Sequence, residues 1–320
     1  MRRHFFIIIT LIIIMTSIAY SQEDSDLYLT LPNIDWALKI DAPDFRATGI
    51  DYREDLAGCR VEMLNAQDRL IATIFLEIDS SGLTAAEYRD QRWLELEKSD
   101  FKYSDVKQYE DENAAYSEGT IKEMSGREVN QKNLFKIIAH GGYIVDIHVS
   151  KSTYDDSFYN KLKQFVDNVT IVDDYIHTTI DYLMYGSYAY QMDQMENAAA
   201  FYQKALDLEK ENPTLDEMYW LVLVDNLGMA YGISGDLESS KKTYEYGLSV
   251  KPEYPMFHYN LACTFAEMKD MDSTMVYLQN AFKYKDNMIE GEVIPDPWKD
   301  SSFKRFFDNK KFRKFLEGLK

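Results

Sequence analysis

Alternating apolar and polar residues dominate the first half of the chain. This two-residue period is typical of strands that bury one face. Eight runs show it: 27–31, 36–40, 58–65, 70–79, 105–109, 115–124, 134–139 and 143–149. Gly126 and the pair Gly141 and Gly142 lie at turns between the later runs, where glycine adopts positive φ without strain. The pattern predicts an antiparallel sheet.

Two amphipathic segments accompany the predicted strands. The first begins after Thr84, which is followed three residues later by Glu87 in a capping-box pattern. The second covers residues 154–169, where apolar side chains recur three or four positions apart. The order of strands, helix, four strands and helix predicts an α+β domain over residues 22–172, an antiparallel sheet covered by two helices.

Helical spacing begins after a short polar hinge at residues 173–178. Three segments between residues 179 and 286 repeat one pattern, in which a small residue is followed 19 positions later by another. The pairs are Gly186 and Ala205, Gly228 and Gly247, and Ala262 and Ala281. The second and third segments are offset by 34 residues, from 228 to 262. Residues without long side chains let helices cross closely, so each segment predicts a helical hairpin.

The 34-residue period and these spacings resemble the tetratricopeptide repeat, a helix–turn–helix unit. The resemblance covers residues 179–320 and implies an all-α solenoid of three hairpins (179–286) closed by a C-terminal capping segment (287–320) with a final helix. It also implies packing roles for Ala198, Tyr231 and Phe265, besides the six small residues. The interval from residue 186 to 228 is 42, eight more than one period. The extra residues near 212–219 predict a longer loop or a lengthened helix.

The resemblance further implies a groove lined by the first helix of each hairpin, with a protein or peptide as partner. Eight side chains are the candidate groove residues: Tyr190, Gln191, Asp225, Asn226, Met229, Tyr259, Asn260 and Glu267. Family members that grip a C-terminal carboxylate use lysine or arginine at positions where this chain has none, so that mode of binding is not expected. The alternative is that these residues contact one another, the N-terminal domain or the tail.

Residues 27–172 resemble the sheet-and-helix fold of the photosystem extrinsic protein PsbP and its bacterial relatives. The resemblance rests on element order, on the strand Ile74-Phe75-Leu76-Glu77 before the first helix, and on Ile144-Val145-Asp146-Ile147-His148-Val149 before the second. That fold hosts non-enzymatic assembly roles, which would suit an accessory protein, although fold alone does not define function.

The N-terminus has the layout of a signal peptide, with two arginines, an apolar run at residues 5–15 and Ala19-Tyr20-Ser21. We therefore expect residues 1–21 to be cleaved and the protein to be periplasmic or secreted. An uncleaved anchor is the alternative, although the run is shorter than the ~20 residues that usually span a membrane. No later stretch of the sequence is long and apolar enough to span one.

Charge and cysteine content narrow the function further. The formal net charge of −19 repels phosphate backbones, so nucleic-acid binding is not expected. The two cysteines, Cys59 and Cys263, lie in a strand-like run and in a repeat helix. These surroundings favour two separate buried thiols, with a disulfide as the open alternative for an exported protein.

No catalytic or metal-binding motif is present. The five histidines do not pair at metal-ligand spacing, and the chain has no G-x-S-x-G, H-E-x-x-H or phosphate-binding glycine loop. We expect no cofactor and no enzymatic activity. The leading hypothesis is an exported, non-catalytic scaffold or adaptor for protein–protein interaction. The alternative is an N-terminal domain that holds a small ligand or substrate, while the repeats recruit its partner.

Overall fold

The structure is a computed structural model that describes residues 26–319. The described residues form two compact units that divide between Ile176 and His177. The predicted signal peptide lies outside the described residues.

Between residues 26 and 176 the first unit contains ten strands and two α-helices. The strands are β1 (Asp26–Leu29), β2 (Ala37–Asp41), β3 (Arg46–Tyr52), β4 (Gly58–Asn65), β5 (Leu70–Ile78), β6 (Tyr103–Glu110), β7 (Ala115–Met124), β8 (Arg127–His140), β9 (Tyr143–Lys151) and β10 (Val169–Val172). The helices are α1 (Ala85–Lys98) and α2 (Tyr159–Asp167), the latter preceded by a 3₁₀ turn at Asp156–Phe158.

The strands form two antiparallel sheets. Seven strands pair in the order β3-β4-β5-β9-β8-β7-β6, and three pair in the order β1-β2-β10. In β5, Leu70, Ala72, Ile74 and Leu76 are fully buried, while the residues between them are more exposed. This is the alternation that the sequence shows. The predicted α+β class with an antiparallel sheet is confirmed.

Two strands differ from the sequence prediction. The pattern gave no strand at β3, because this edge strand buries only Tyr52 and so carries little alternation. The second helix was predicted to cover residues 154–169, but α2 ends at Asp167 and Asn168 caps it. Val169 then pairs with Ile40 of β2. The short apolar segment after α2 therefore pairs as a strand with the free edge of β2. Helical periodicity alone could not show that the helix ends before this segment.

Both helices of the first unit are held by specific polar contacts. Thr84 and Glu87 form the predicted capping box of α1. Lys136, buried in β8, donates to the carbonyl oxygens of Val166 (2.9 Å) and Val169 (2.7 Å). A buried ammonium at the C-terminal end of a helix satisfies carbonyls that have no intrahelical partner.

The second unit is helical. Its helices are α3 (Thr179–Gln191), α4 (Met195–Glu211), α5 (Glu217–Ser234), α6 (Leu237–Val250), α7 (Pro255–Glu267), α8 (Met271–Lys283) and α9 (Lys310–Gly318), with 3₁₀ turns at Lys285–Asn287 and Ser301–Phe306. The pairs α3/α4, α5/α6 and α7/α8 are three successive hairpins. This arrangement confirms the predicted solenoid of three hairpins.

The small residues lie where helices meet. A Cβ added to Gly186 would come within 2.6 Å of the Tyr202 ring, and one added to Gly228 within 2.4 Å of the Tyr244 ring. Gly247 approaches Phe257 of the next hairpin in the same way, at 2.8 Å. The four alanines of the predicted packing set are also fully buried: Ala198, Ala205, Ala262 and Ala281. Tyr231 and Phe265, the aromatic members of the set, are half-buried.

The eight extra residues of the first interval lengthen two helices. Helix α4 has 17 residues and α5 has 18, whereas α6 has 14 and both α3 and α7 have 13. The connection between them is fixed by Glu209, a buried carboxylate that accepts hydrogen bonds from the backbone amides of Thr214 (2.9 Å) and Leu215 (3.2 Å).

The C-terminal segment covers the last hairpin. Phe303 and Phe312 are fully buried in a cluster with Tyr259, Leu278 and Ala281. This cluster gives the apolar face of α7 and α8 the neighbour that a further repeat would otherwise supply. The predicted capping segment and its final helix are present.

Candidate peptide-binding face of the helical repeats

The candidate groove residues lie on α3, α5 and α7, the first helices of the three hairpins. We call the surface that they form the groove face. Tyr190 and Gln191 are at the end of α3, Asp225, Asn226 and Met229 are in the middle of α5, and Tyr259, Asn260 and Glu267 are on α7.

One contact joins two candidate residues directly. Asn260 Nδ2 donates to Asp225 Oδ1 at 2.7 Å, which links α7 to α5. The Tyr244 hydroxyl also donates to the backbone carbonyl of Asp225, at 3.1 Å. These contacts fix the position of the carboxylate between the second and third hairpins.

The third hairpin makes the equivalent contact with the capping segment. The Tyr259 hydroxyl donates to Asp300 Oδ2 at 2.9 Å, and Arg305 donates to the backbone carbonyl of Glu267 at 2.9 Å while pairing with its carboxylate. Tyr259 and Glu267 are therefore engaged by the chain itself. The part of the groove face that remains for a ligand is formed by α3 and α5.

Asn226 has the most unusual environment of the eight. Asn226 is 4% exposed and its side chain lies near the Tyr202 hydroxyl. Its Nδ2 atom is nevertheless within hydrogen-bond distance of no group among residues 26–319. The repeat spacing explains the difference from Asn260, which meets Asp225. In the first hairpin the residue that corresponds to Asp225 is Leu183, 42 positions earlier, and it offers no acceptor. A buried amide donor without a partner costs about 1–3 kcal/mol.

The neighbouring side chains are suited to packing. Tyr190 and Met229 are half-buried, and Gln191 is exposed. Burial, followed by the charges of Asp225 and Asp193, raises the pKa of Tyr190, which keeps its hydroxyl protonated. An uncharged phenol, a thioether and a buried amide together favour an uncharged segment of a ligand.

The carboxylates beside this face are perturbed by burial. Burial raises the pKa of Asp225 to about 7, against the hydrogen bond from Asn260, and the charge of Glu292 adds to the rise. Burial also raises the pKa of Glu292, although the Tyr254 hydroxyl donates to it at 2.8 Å. Asp225 therefore changes charge close to neutral pH.

Sequence reasoning did not find Glu292 and Asp300, the capping-segment residues that complete this region. They lie 67 and 75 positions beyond Asp225 (225 to 292 and 225 to 300), in a segment without repeat spacing. The available signal was the Asp300-Ser301-Ser302 sequence, in which Asp300 caps the following turn by accepting from the Ser302 amide at 2.9 Å.

Three further properties of residues 26–319 concern metal ions, thiols and membranes. No group of three or more His, Cys, Asp or Glu side chains within residues 26–319 is placed to hold a metal ion. Cys59 and Cys263 are both free thiols. None of the helices between residues 26 and 319 has both the length and the apolarity that crossing a membrane demands.

Comparison with known proteins was informative for the helical unit. The family described as tetratricopeptide repeat matches residues 182–212 and 224–254. A search of curated proteins finds no match.

Solved structures of two kinds are similar to this chain. PcrH from Pseudomonas aeruginosa is 16% identical, over 44% of this chain and 90% of that one, with a TM-score of 0.31. The Sgt2 TPR domain from Aspergillus fumigatus is 17% identical, over 43% and 79%, with a TM-score of 0.32. Cyanobacterial PsbP (CyanoP) from Synechocystis sp. PCC 6803 is 11% identical, over 48% and 95%, with a TM-score of 0.32.

The family match covers the first two hairpins and reproduces their 42-residue offset (182 to 224). The third hairpin and its cap continue the same packing. Repeats of this family support protein–protein interaction. The helical unit of this chain contains tetratricopeptide repeats in its first two hairpins.

Proposed function

We propose that the protein is an exported, non-catalytic adaptor of the cell envelope or extracellular space, which captures an extended segment of a partner protein on α3 and α5. The observation that carries the proposal is the unpaired amide of Asn226 beneath the groove face. Its Nδ2 atom breaks no hydrogen bond when it turns toward a ligand, so binding recovers energy that the unbound fold lacks.

A backbone carbonyl of an extended segment is the acceptor that this amide requires. Tyr190, at the end of α3, and Met229, one turn after Asn226 on α5, are half-buried, so each can pack against a side chain of the ligand. Backbone hydrogen bonds then provide affinity and flanking pockets provide selectivity, as in other modes of peptide recognition.

The negative charge of the protein limits which partner segments can bind to the groove face. The only ionisable candidate on α5 is Asp225, with Glu292 nearby, and the net charge of the chain is −19. An acidic segment is repelled by this field, whereas a neutral or basic segment is attracted. We therefore propose a neutral or basic extended segment as the ligand.

Asn226→Leu tests the groove. Leucine removes the unpaired donor at similar volume, so we expect the free energy of unfolding to stay within about 1 kcal/mol of the wild type. Affinity capture from envelope fractions identifies the partner, and its dissociation constant is then measured with purified proteins. We expect at least a tenfold weaker complex for Asn226→Leu, and a further loss when Tyr190→Ala is added.

Asn260→Leu is the matched control for stability. It leaves the Asp225 carboxylate without its 2.7 Å donor, so it should destabilise the fold by about 1–3 kcal/mol where Asn226→Leu does not. If Asn226→Leu and the wild type bind the same partner with equal affinity, the groove is on another surface.

Export is proposed from residues 1–21 alone. N-terminal sequencing of the mature protein from its native host should begin at Gln22, and fractionation should place the protein outside the cytoplasm. A mature protein that retains Met1 in a cytoplasmic fraction would show that the adaptor acts inside the cell.

A further inference from the structure

A cavity in the first unit lies between the sheet and the start of α2. Its volume is about 690 Å³, within the range of small-molecule sites. Strands β6, β7 and β8 supply one wall, and residues 154–160 supply the other. The lining residues are Asp105, Lys107, Thr120, Lys122, Asn130, Lys132, Tyr154, Asp155, Asp156, Tyr159 and Asn160.

The sheet wall carries an excess of positive charge. Glu118 of β7, whose side chain is 2% exposed, lies 2.8 Å from Lys132 Nζ and 3.2 Å from Lys107 Nζ. Two ammonium groups therefore share one carboxylate. The hydrogen bond to Glu118 raises the pKa of Lys107, so its exposed head stays charged at neutral pH.

The remaining ion pair on this wall is balanced. Lys122 Nζ lies 3.3 Å from Asp105 Oδ2, so the two charges cancel locally. The excess on the sheet wall is therefore one positive charge, shared between Lys107 and Lys132.

The opposite wall carries an excess of negative charge. Within residues 26–319, neither Asp155 nor Asp156 forms an ion pair with a lysine or arginine. Hydrogen bonds from Ser157, including its backbone amide at 2.9 Å, lower the pKa of Asp155 and keep it ionised. Burial, followed by the charge of Asp156, raises the pKa of Tyr154 to about 12. The Asp156 carboxylate thus lies beside Tyr154. The Tyr159 ring lies instead beside the sheet wall, with its centroid 5.9 Å from Lys132 Nζ.

We propose that this cavity binds a small zwitterion, of the size of a free amino acid or a dipeptide. Its carboxylate would lie on the Lys107 side, and its ammonium would lie on Asp155 and Asp156 with the Tyr154 ring beside it. A ligand with only one sign of charge would satisfy one wall and leave the other unpaired. This inference concerns the N-terminal unit and does not depend on the groove of the repeats.

The alanine dipeptide L-Ala-L-Ala is the probe for calorimetric titration of the mature chain. Two blocked forms are its controls: N-acetyl-Ala-Ala lacks the ammonium, and Ala-Ala amide lacks the carboxylate. We expect the free dipeptide to bind and each blocked form to bind at least tenfold more weakly. Equal binding of all three, or no heat from millimolar free dipeptide, would overturn the proposal.

Variants that remove a charge test which wall of the cavity binds the carboxylate and which binds the ammonium of the dipeptide. Lys107→Gln should weaken Ala-Ala tenfold or more while leaving the affinity of Ala-Ala amide unchanged. Asp155→Asn with Asp156→Asn should weaken Ala-Ala and leave the affinity of N-acetyl-Ala-Ala unchanged. Asparagine preserves the N-cap that Asp155 provides, so the turn at Asp156–Phe158 is retained.

Two controls separate this site from other effects. Lys39→Gln removes a lysine of the same unit that pairs with Asp26, outside the cavity lining, and should leave dipeptide affinity unchanged. Asn226→Leu should also leave it unchanged. Loss of dipeptide binding in Lys39→Gln would assign the effect to net charge, against the proposed site.

Discussion

Asn260 donates a 2.7 Å hydrogen bond to Asp225 and so joins the first helices of the second and third hairpins through a carboxylate whose pKa is about 7. Asparagine recurs 34 positions apart at residues 226 and 260, yet only one of the two amides has its partner. The asparagine of the third hairpin therefore links two helices of the fold, whereas the asparagine of the second hairpin keeps an amide donor for a ligand.

The raised pKa of Asp225 predicts a pH-dependent effect of Asp225→Asn. In the unfolded chain this carboxyl ionises near pH 4, whereas in the folded protein it ionises near pH 7. Between pH 4 and pH 7 the Asp225 carboxyl is ionised in the unfolded chain but protonated in the folded protein. The free energy of unfolding of the wild type therefore decreases as pH rises through this range, and the whole decrease remains above pH 7. Asparagine keeps an acceptor for Asn260 and removes that penalty.

Urea unfolding at pH 4, 6 and 8 measures this difference. We expect Asp225→Asn to exceed the wild type in unfolding free energy by about 4 kcal/mol at pH 8 and by little at pH 4. A difference that is constant across the three pH values would mean that Asp225 has an ordinary pKa in the folded protein.

The packing of the repeats predicts opposite effects for two glycines of α5. Gly228→Ala places a Cβ 2.4 Å from the Tyr244 ring, which is buried and whose hydroxyl is bonded to the Asp225 carbonyl. Since the ring cannot retreat without breaking that bond, we expect destabilisation by about 1–3 kcal/mol. A Cβ in Gly232→Ala meets only Ser240, with Oγ at 3.3 Å and Cβ at 3.8 Å, and the substitution gains helix propensity.

Thermal and urea unfolding of the two variants test this contrast. Gly232→Ala should equal or exceed the wild type in stability. Equal stability of Gly228→Ala and Gly232→Ala would show that α5 and α6 are packed more loosely than the structure indicates.

The sequence predicted the helical hairpins well because their determinant is local. A small residue and the bulky residue that it faces lie a fixed distance apart, as Gly186 and Tyr202 or Gly228 and Tyr244 do, so spacing alone reveals the contact. The capping segment was also predictable, because aromatic residues recur at helical spacing after the last repeat. Phe303 and Phe312 are fully buried there.

The polar features were not predictable because each depends on a distant partner. Asn226 lacks an acceptor because Leu183 precedes it by 43 positions (183 to 226), and Glu292 reaches Tyr254 from a segment without periodicity. The cavity of the first unit is assembled from three strands and the start of α2, whose charges become complementary only after folding. The edge strand β3 was missed for a different reason, since it buries almost nothing.

The environment of His148 predicts an imidazole that stays neutral well into the acidic range. Its ring stacks on Phe135 with centroids 4.4 Å apart, and its Nε2 lies 3.0 Å from Asn133 Oδ1. Burial, followed by the charge of Arg92, lowers the pKa of His148 to about 4. Between pH 6.5 and pH 4 the imidazole is protonated in the unfolded chain but neutral in the folded protein. The free energy of unfolding therefore decreases as pH falls through that range.

Nuclear magnetic resonance of the imidazole nitrogens measures this pKa directly. The His148 signals, assigned by their loss in His148→Asn, should titrate with a midpoint near pH 4. A midpoint above pH 6 would mean that water reaches the ring.

The last hairpin predicts a strong dependence on the capping segment. Phe303 is fully buried, packs edge-on against Tyr259 at 5.9 Å and belongs to the same cluster as Leu278 and Ala281. Phe303→Ala should cost about 3–5 kcal/mol of unfolding free energy, because the cavity left behind cannot collapse between two fixed helices.

Phe315→Ala, at a half-buried site on α9, should cost less than half as much. Urea unfolding measures both, and light scattering should show association of Phe303→Ala alone, because loss of the cap exposes the apolar end of the solenoid. Equal costs for the two variants would show that the capping segment contributes no specific packing to the third hairpin.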